Sequence, residues 1–289
     1  MGALYTTMIL LPTDLVSSFP HGHPMTGLSS SEFDIDDDSW VEVTGIRPSY
    51  EALSYTWGTT KSKEPAYVLT SESSSHSSIL PMTLEIGENL AIALKHLRSE
   101  SPRLLWIDAI CINQMDPSER GTQISRMGEI YKAADRVVVW LGPESKKSSL
   151  AISTLDYLGR QIVLFRSFRF ARAPDTTETE IWSRPTFQLP YSDVTWQAIR
   201  DFFKRPWFER VWIVQEIQLA SSKSILMCGP DILSWQTLRA SIYCLFAKVQ
   251  FQSSSILREV PECIKTLSTN RLNETFPDLL SLLQRRKCT

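Results

Sequence analysis

A carboxylate and two amide side chains follow a short apolar run near the middle of this chain. The run from Leu104 to Ile107 ends at Asp108, and Asn113 and Gln114 lie in the polar turn that comes next. Apolar runs of this length are typical of buried strands, and open α/β sheets bind ligands at the carboxyl ends of their strands. Asp108, Asn113 and Gln114 are therefore candidate ligand-binding residues. A cap on the following turn, or an ion pair with a nearby arginine, explains Asp108 equally well, because a buried carboxylate needs a partner.

A hydroxyl, two aromatic rings and a glycine are grouped at the end of a second predicted strand. This strand runs from Tyr50 to Tyr55, and Trp57 and Gly58 follow in a turn. Alternation along a strand places Ser54 and Tyr55 on opposite faces, and glycine allows a ligand to approach the backbone closely. Ser54, Tyr55 and Trp57 are therefore candidate binding residues. An ordinary turn beside a core tryptophan fits the same pattern, since glycine serves such turns at least as often.

A glutamate lies beside an aromatic stripe late in the chain. The segment from Arg205 to Ala220 reads RPWFERVWIVQEIQLA. On a continuous helix, a cluster forms from Phe208, Trp212, Gln215 and Leu219, and Glu216 lies at its rim. A carboxylate at the edge of an apolar face can have a raised pKa or be held by specific donors. A boundary glutamate that is solvated, or paired with a nearby basic side chain, is the competing interpretation.

Composition excludes several classes of partner. The chain has 30 basic and 32 acidic side chains and a net charge of −2. This balance provides no basic excess for a nucleic-acid groove or an anionic membrane surface. The only early apolar run, from Met8 to Leu11, is too short for a signal-peptide core or a membrane span. We therefore expect a soluble cytoplasmic protein that binds neither nucleic acid nor membrane.

Cysteine and histidine positions argue against a metal site and against a disulfide framework. The five cysteines are scattered, none forms a CxxC pair, and the four histidines are not at ligand spacing from them. An odd number of scattered cysteines favours a reducing compartment. The sequence also contains no GxGxxG, Walker A, GxSxG or HExxH motif. We predict no bound metal and no resident cofactor.

The elements that position these groups are predicted to alternate between strands and helices. Strands are predicted at Val41–Val43, Tyr50–Tyr55, Leu104–Ile107, Arg136–Leu141 and Lys223–Cys228. Helices are predicted at Ile86–Leu97, Pro117–Ala134, Ser148–Leu158, Thr195–Lys204, Pro206–Leu219 and Ser234–Gln250, with a last one beginning near Phe276. Such alternation favours a parallel sheet covered by helices on both faces. Two segments stand apart, a serine-rich loop at Ser71–Ser78 and an unassigned insertion at Arg160–Pro190.

The helix predicted from Pro117 has a clear start signal and an apolar face. Asp116 suits the N-cap, Pro117 suits the first helical position, and Glu119 stands three residues after the cap. The helical spacing predicts that one face is buried, formed by Ile124, Met127, Ile130 and Tyr131.

Three blocks of the sequence resemble the signatures of the fungal heterokaryon incompatibility (HET) domain. These are YEALSYTWG, LWIDAICINQMDPSERGTQISRMGEIYKAADRVVVWLG and RPWFERVWIVQE. Their order and spacing fit over roughly residues 45 to 235. The family's usual TDPRDK-like stretch does not appear before Thr289. We therefore expect an N-terminal extension over residues 1–44, with a possible edge strand, and a C-terminally truncated HET domain over residues 45–289.

The resemblance implies a function and, through a more distant likeness to TIR domains, a chemistry. HET domains are implicated in non-self recognition between fungal hyphae, ending in growth arrest or cell death. The TIR likeness implies a parallel-sheet, three-layer α/β (flavodoxin-like) core with helical insertions. It also implies that Glu216, in the W-x-x-x-E of Trp212 to Glu216, corresponds to the glutamate of NAD-cleaving members. In this interpretation Tyr55 or Trp57 stacks on the base, Ser54 and Asp108 orient it, and NAD is a substrate.

Two other functions are compatible with the same blocks. The first is a non-enzymatic signalling module that acts by self-association or by binding protein partners. The tryptophan-rich blocks suit core packing and interfaces equally. The second is an inactive, truncated HET fragment, which the missing C-terminal stretch favours.

Overall fold

The computed structural model describes most of the chain between residues 49 and 248. The described residues are 8–9, 49–58, 62–68, 82–99, 101–164, 170–174, 176, 185–210, 212–218 and 220–248. The edge strand predicted at Val41–Val43, the serine-rich loop at Ser71–Ser78 and the helix predicted near Phe276 lie outside these ranges.

Six strands form a mostly parallel sheet. In spatial order they are β1 (Met8–Ile9), β5 (Arg103–Trp106), β2 (Glu51–Tyr55), β6 (Arg136–Trp140), β9 (Ile225–Cys228) and β10 (Asp231–Ser234). Neighbouring strands pair in parallel except β9 and β10, which are antiparallel. The α/β class with a parallel sheet, predicted from the alternation of elements, is confirmed.

Two antiparallel hairpins lie outside this sheet. One is formed by β3 (Lys63–Val68) and β4 (Met82–Gly87), and the other by β7 (Ile162–Leu164) and β8 (Phe170–Arg172). The second hairpin lies within the insertion at Arg160–Pro190 that the sequence left unassigned.

Seven helices connect or cover the strands in the described ranges. They are α1 (Glu88–His96), α2 (Asp108–Cys111), α3 (Pro117–Ala133), α4 (Ser148–Gly159), α5 (Asp193–Phe203), α6 (Ile213–Gln218) and α7 (Trp235–Phe246). A 3-10 turn, Pro206–Glu209, precedes α6. No described helix is both long and apolar enough to cross a membrane.

The start of α3 is the one that the sequence predicted. The Asp116 side chain accepts hydrogen bonds from the backbone N–H groups of Ser118 and Glu119, and Pro117 occupies the first turn. The Glu119 carboxylate does not close a reciprocal box on Asp116. It accepts instead from the backbone N–H of Asn113, so it stabilises the turn between α2 and α3.

Side chains alternate between two apolar clusters on opposite faces of the sheet. In β2, Ala52 belongs to one cluster and Leu53 and Tyr55 to the other. Helix α1 packs on the Leu53 side, whereas α3, α4, α5 and α7 contribute to the Ala52 side. The sheet is therefore the middle of three layers, as expected for a parallel sheet buried on both faces.

The chain changes direction at β2, which is the strand that carries the first candidate site. The connection from β2 to β5 contains α1, on one face of the sheet. The connection from β5 to β6 contains α3, on the opposite face, and crosses β2. In open α/β sheets such a switch point opens a crevice at the carboxyl ends of the strands. The end of β2, at Ser54 and Tyr55, lies at this point.

A partly buried ion triad holds the other end of the same strands together. Glu51 of β2 pairs through its two carboxylate oxygens with Arg103 of β5 and Arg136 of β6. Arg103 Nε donates to Glu51 Oε2 at 2.7 Å. This triad links the starts of β5, β2 and β6. It therefore helps to fix the strand register, in which Ser54 pairs with Val139.

Three helix predictions are wrong in detail. Helix α1 begins at Glu88 rather than Ile86, because Ile86 pairs with Glu64 in the β3–β4 hairpin. In α3, Ile124 is exposed and Gln123 is buried in its place. The stretch from Pro206 to Leu219 is not one helix, because backbone in the extended region at Arg210 separates the 3-10 turn from α6.

Candidate active site at the strand ends

Ser54 lies at the end of β2 and joins two segments that are distant in sequence. Its hydroxyl donates to Glu216 Oε2. The Ser54 hydroxyl oxygen also accepts a hydrogen bond from Trp207 Nε1 at 2.7 Å. Ser54 is 1% exposed and Glu216 is 0% exposed. Ser54 and Glu216, which the TIR likeness assigned to one site, are therefore joined by a direct, buried hydrogen bond.

Arg210 binds the Glu216 carboxylate with two parallel hydrogen bonds. Its terminal nitrogens donate to Oε2 at 2.9 Å and to Oε1 at 2.8 Å. This bidentate geometry is the strongest arrangement for an arginine and a carboxylate. Burial acts to lower the pKa of Arg210, but Glu216, Tyr131 and Asp108 together outweigh this effect, so the pKa lies above its ordinary value. The Arg210 side chain is 18% exposed and covers Glu216.

Glu216 does not lie at the rim of an aromatic stripe, as a continuous helix predicted. The 3-10 turn ends at Glu209, Arg210 has φ −70° and ψ 137°, and α6 begins at Ile213. This break turns Arg210 back toward a residue six positions later, which a continuous helix would not allow because only positions three and four apart are neighbours. Glu216 is therefore enclosed by Arg210, Ser54 and the body of the domain.

Asp108 begins helix α2, directly after β5. Trp57 Nε1 donates to its Oδ2 at 2.9 Å, and the Ala109 N–H donates to its Oδ1 at 2.7 Å. Burial raises the pKa of Asp108 to about 6; the Glu216 carboxylate adds to this rise, whereas the Trp57 hydrogen bond and Arg210 oppose it. Asp108 is thus a carboxyl group whose protonation changes near neutral pH, where acid–base groups work best.

This pKa makes the stability of the fold depend on pH with a defined sign. The folded pKa of about 6 lies above the ordinary value of 3.8, so the folded state binds the proton more tightly. The free energy of unfolding should fall as pH rises from about 4 to about 6, and stay low above that. The full difference is about 3 kcal/mol. Urea unfolding from pH 4 to 8 should show this fall in wild type relative to Asp108→Asn. Parallel profiles for the two proteins would contradict it.

Two tyrosines surround the two carboxylates. Tyr131 donates its hydroxyl to the Leu53 carbonyl at 3.1 Å, and burial, then Glu216 and Asp108, raise its pKa. Tyr55 is 3% exposed, and burial together with Asp108 raises its pKa as well. Asp108, Arg210 and Glu216, which we call the carboxylate cluster, thus share one buried region. Tyr55 is packed in the core, so it offers no free face for stacking.

Asn113 and Gln114 stabilise the turn after α2 and do not face the Asp108 carboxylate. Asn113 is exposed, and its side-chain oxygen accepts from the Met115 N–H at 3.0 Å. Gln114 Nε2 donates to the carbonyl oxygens of Asp108 and Ile112, at 3.0 and 3.2 Å. Their part in the site is to fix the backbone that carries Asp108.

A cavity lies beside the carboxylate cluster on the α1 side. Its volume is about 220 Å³, and it is lined by Trp57, Gly58, Glu88, Asn89 and Ile92. Trp57 is 47% exposed and connects the two features, because it lines the cavity and donates to Asp108. Gly58 has φ +78°, a left-handed conformation that favours glycine.

Asn89 fixes one wall of this cavity. Its Nδ2 donates to the Thr56 carbonyl at 2.6 Å, and its Oδ1 accepts from Trp140 Nε1 at 3.1 Å. Both polar atoms of the Asn89 amide therefore have a hydrogen-bond partner, and these bonds connect α1 to the ends of β2 and β6.

Sequence reasoning missed four residues of this region. Trp207 and Arg210 lie in the third block, but on the continuous helix that was predicted there they do not lie beside Glu216. Glu88 and Asn89 were not singled out, because neither belongs to the apolar stripe of the predicted helix. No local signal marks the break, because the apolar spacing from Trp207 to Ile217 fits a continuous helix.

Fold and site together define a three-layer α/β domain with two buried carboxylates, Asp108 and Glu216, near the ends of its parallel strands. The model of the family described as "Heterokaryon incompatibility protein (HET)" matches residues 50–216. The chain therefore belongs to the HET family, which confirms the resemblance carried by the three blocks. The matched region begins at Tyr50 and ends at Glu216, so it includes every residue of the carboxylate cluster.

A curated relative supports the same assignment. The chain is 30% identical over 219 residues to "Heterokaryon incompatibility protein 6, OR allele" of Neurospora crassa. The aligned region covers 67% of this chain but 30% of that protein. No solved structure matches the chain significantly.

Proposed function

We propose that this chain acts in heterokaryon incompatibility, the fungal response to non-self that ends in growth arrest or cell death. The observation that carries the proposal is the family match over Tyr50 to Glu216, which coincides with the strand ends and their carboxylate cluster. The similarity to a Neurospora protein named for heterokaryon incompatibility supports it. The chain spans about a third of that protein, so the role is proposed for the domain.

The test is induced expression of this chain in a filamentous fungus. We expect arrested hyphal growth and loss of viability within the induced colony. Ser54→Ala with Glu216→Gln is the matched variant, since it removes the buried Ser54 hydroxyl and the buried Glu216 charge and leaves the surface unchanged. Normal growth of colonies that accumulate the wild-type chain would contradict the proposal.

We propose further that the domain acts by cleaving the nicotinamide–ribose bond of NAD. The sheet order β5-β2-β6-β9 supports the proposal, because it is compatible with the flavodoxin-like core that the TIR likeness implies and the candidate site lies at its switch point. In this reaction water adds to the anomeric carbon and the C–N bond breaks. Nicotinamide leaves with the bonding electron pair, and one proton is released. The transition state resembles an oxocarbenium ion, which a nearby carboxylate stabilises.

Each residue of the carboxylate cluster has a part in this proposal. Asp108, with a pKa of about 6, takes the proton of the attacking water. Glu216 offsets the positive charge on the ribose, which requires Arg210 to move from its carboxylate. The pyrophosphate of NAD supplies a competing bidentate partner, because arginine binds phosphate in the same geometry as carboxylate. Ser54 holds Glu216 in place while Arg210 is displaced.

A non-enzymatic signalling module is the second candidate, and one observation favours it. Glu216 is fully buried and each carboxylate oxygen has a partner, as in a structural ion pair. Incubation of the purified protein with NAD, followed by chromatography for nicotinamide, separates the two functions. Nicotinamide release supports the enzyme. No release, together with oligomers that grow with protein concentration in light scattering, supports the module.

A further inference from the structure

The cavity beside Trp57 has the size of one substituted aromatic ring. A cavity of about 150 Å³ accommodates benzene, and pockets for drug-sized ligands begin at about 300 Å³. At about 220 Å³ this cavity lies between the two. It therefore suits one ring of a larger ligand rather than a whole dinucleotide.

The walls of the cavity suit a flat ring that carries positive charge. Trp57 contributes an aromatic surface of which nearly half is exposed. Glu88 contributes a carboxylate, and none of the described lining residues is Lys or Arg. Aromatic faces attract cations, and a carboxylate within the same cavity adds to that attraction.

We propose that this cavity binds an N-alkylated pyridinium ring, stacked on Trp57 and neutralised by Glu88. The inference rests on the proposed cleavage of NAD, and it names the part of the substrate that this cavity takes. The hydrogen bond from Trp57 Nε1 to Asp108 orients the indole between the ring and the carboxylate cluster. Loss of the positive charge on cleavage then weakens the hold on the product, because free nicotinamide is neutral.

The site can be tested without turnover, with N1-methylnicotinamide as a pyridinium that has no ribose to cleave. Isothermal titration calorimetry should detect its binding and should detect neutral nicotinamide at least about fivefold more weakly, as the loss of a cation–π contact predicts. Trp57→Ala should weaken pyridinium binding about tenfold or more, since stacking on an aromatic side chain contributes that much. Glu88→Gln should weaken it about two- to fivefold, and this loss should shrink at high salt.

Controls separate binding from folding and from the cleavage proposal. Glu129→Gln removes an exposed carboxylate that does not line the cavity, and it should bind as wild type does. Glu88 also lies in the first turn of α1, where a carboxylate stabilises a helix, so thermal unfolding is measured for each variant. Trp57→Phe keeps an aromatic ring and should retain most of the affinity.

Three results would overturn this inference. They are equal binding of the neutral and charged rings, unchanged binding in folded Trp57→Ala, and unchanged binding in Glu88→Gln. A protein that binds N1-methylnicotinamide but releases no nicotinamide from NAD would refute the cleavage and leave the cavity assignment intact.

Discussion

Replacing Arg210 by methionine is expected to lower the free energy of unfolding by about 3–5 kcal/mol, because the change leaves a buried carboxylate without its charged partner. Glu216 is 0% exposed and cannot recover the lost interaction from water. Replacing Glu216 by leucine should cost somewhat less, since the Arg210 side chain is 18% exposed and can turn toward solvent. Urea unfolding at pH 7 measures both.

The double variant Arg210→Met with Glu216→Leu shows whether the pair stabilises the fold. Well-packed apolar replacements of a buried pair are often neutral, so the double variant should recover most of the loss. The part it does not recover belongs to Ser54, whose hydroxyl donates to Glu216 in wild type. Asp156→Ala is the matched control, because it removes an exposed pair with Arg160 at i,i+4 spacing and should change stability by at most about 0.5 kcal/mol. Equal losses for Arg210→Met and Asp156→Ala would contradict a buried ion pair.

The central sheet was predictable because its strands carry strong local signals. The runs Leu104–Ile107 and Arg136–Trp140 are too apolar to lie on a surface. A segment with helical spacing of its apolar residues lies between them, so each run is recognised as a separate strand. The N-cap at Asp116 was predictable for the same reason, since the cap forms with residues two and three positions later. Both signals depend only on residues that are close together in the sequence.

The hairpin β3–β4 was missed although part of it gave a signal. Met82, Leu84 and Ile86 alternate as a strand does, but Ile86 also fits the helical stripe of α1 and was assigned to it. Its partner strand contains Pro65, which argues against a strand except at an edge. Short apolar patterns that fit both periods are decided by tertiary pairing, which single-sequence spacing does not contain.

The relation between Arg210 and Glu216 depends on a backbone break that spacing alone does not reveal. The aromatic residues from Trp207 to Trp212 fit a helix, and the helical wheel then separates Arg210 from Glu216. The break is stabilised by distant contacts, among them the hydrogen bond from Trp207 Nε1 to Ser54. The TIR likeness assigned Asp108 and Glu216 to one proposed site, but the sequence did not predict that Glu216 is enclosed by Arg210 and Ser54.

Glu216→Gln is expected to reduce nicotinamide release from NAD about 10²–10⁴-fold, the range typical of positioned catalytic carboxylates. Glutamine keeps the shape of the side chain and an oxygen that accepts from Arg210, so the variant loses charge with little change in packing. Turnover is followed by chromatography, below the melting temperature of each protein. Glu129→Gln is the matched control, because it removes an exposed carboxylate outside the cluster and should retain full activity.

Arg210→Lys separates the two proposed roles of this cluster. Lysine keeps the positive charge but does not bind phosphate in bidentate form, so KM for NAD should rise while kcat changes little. A fall in kcat alone would show that Arg210 serves only to hold Glu216.

Turnover that is unchanged in folded Glu216→Gln would remove Glu216 from the chemistry. The proposed reaction would then depend on Asp108, whose pKa of about 6 predicts that activity rises as pH increases through that value.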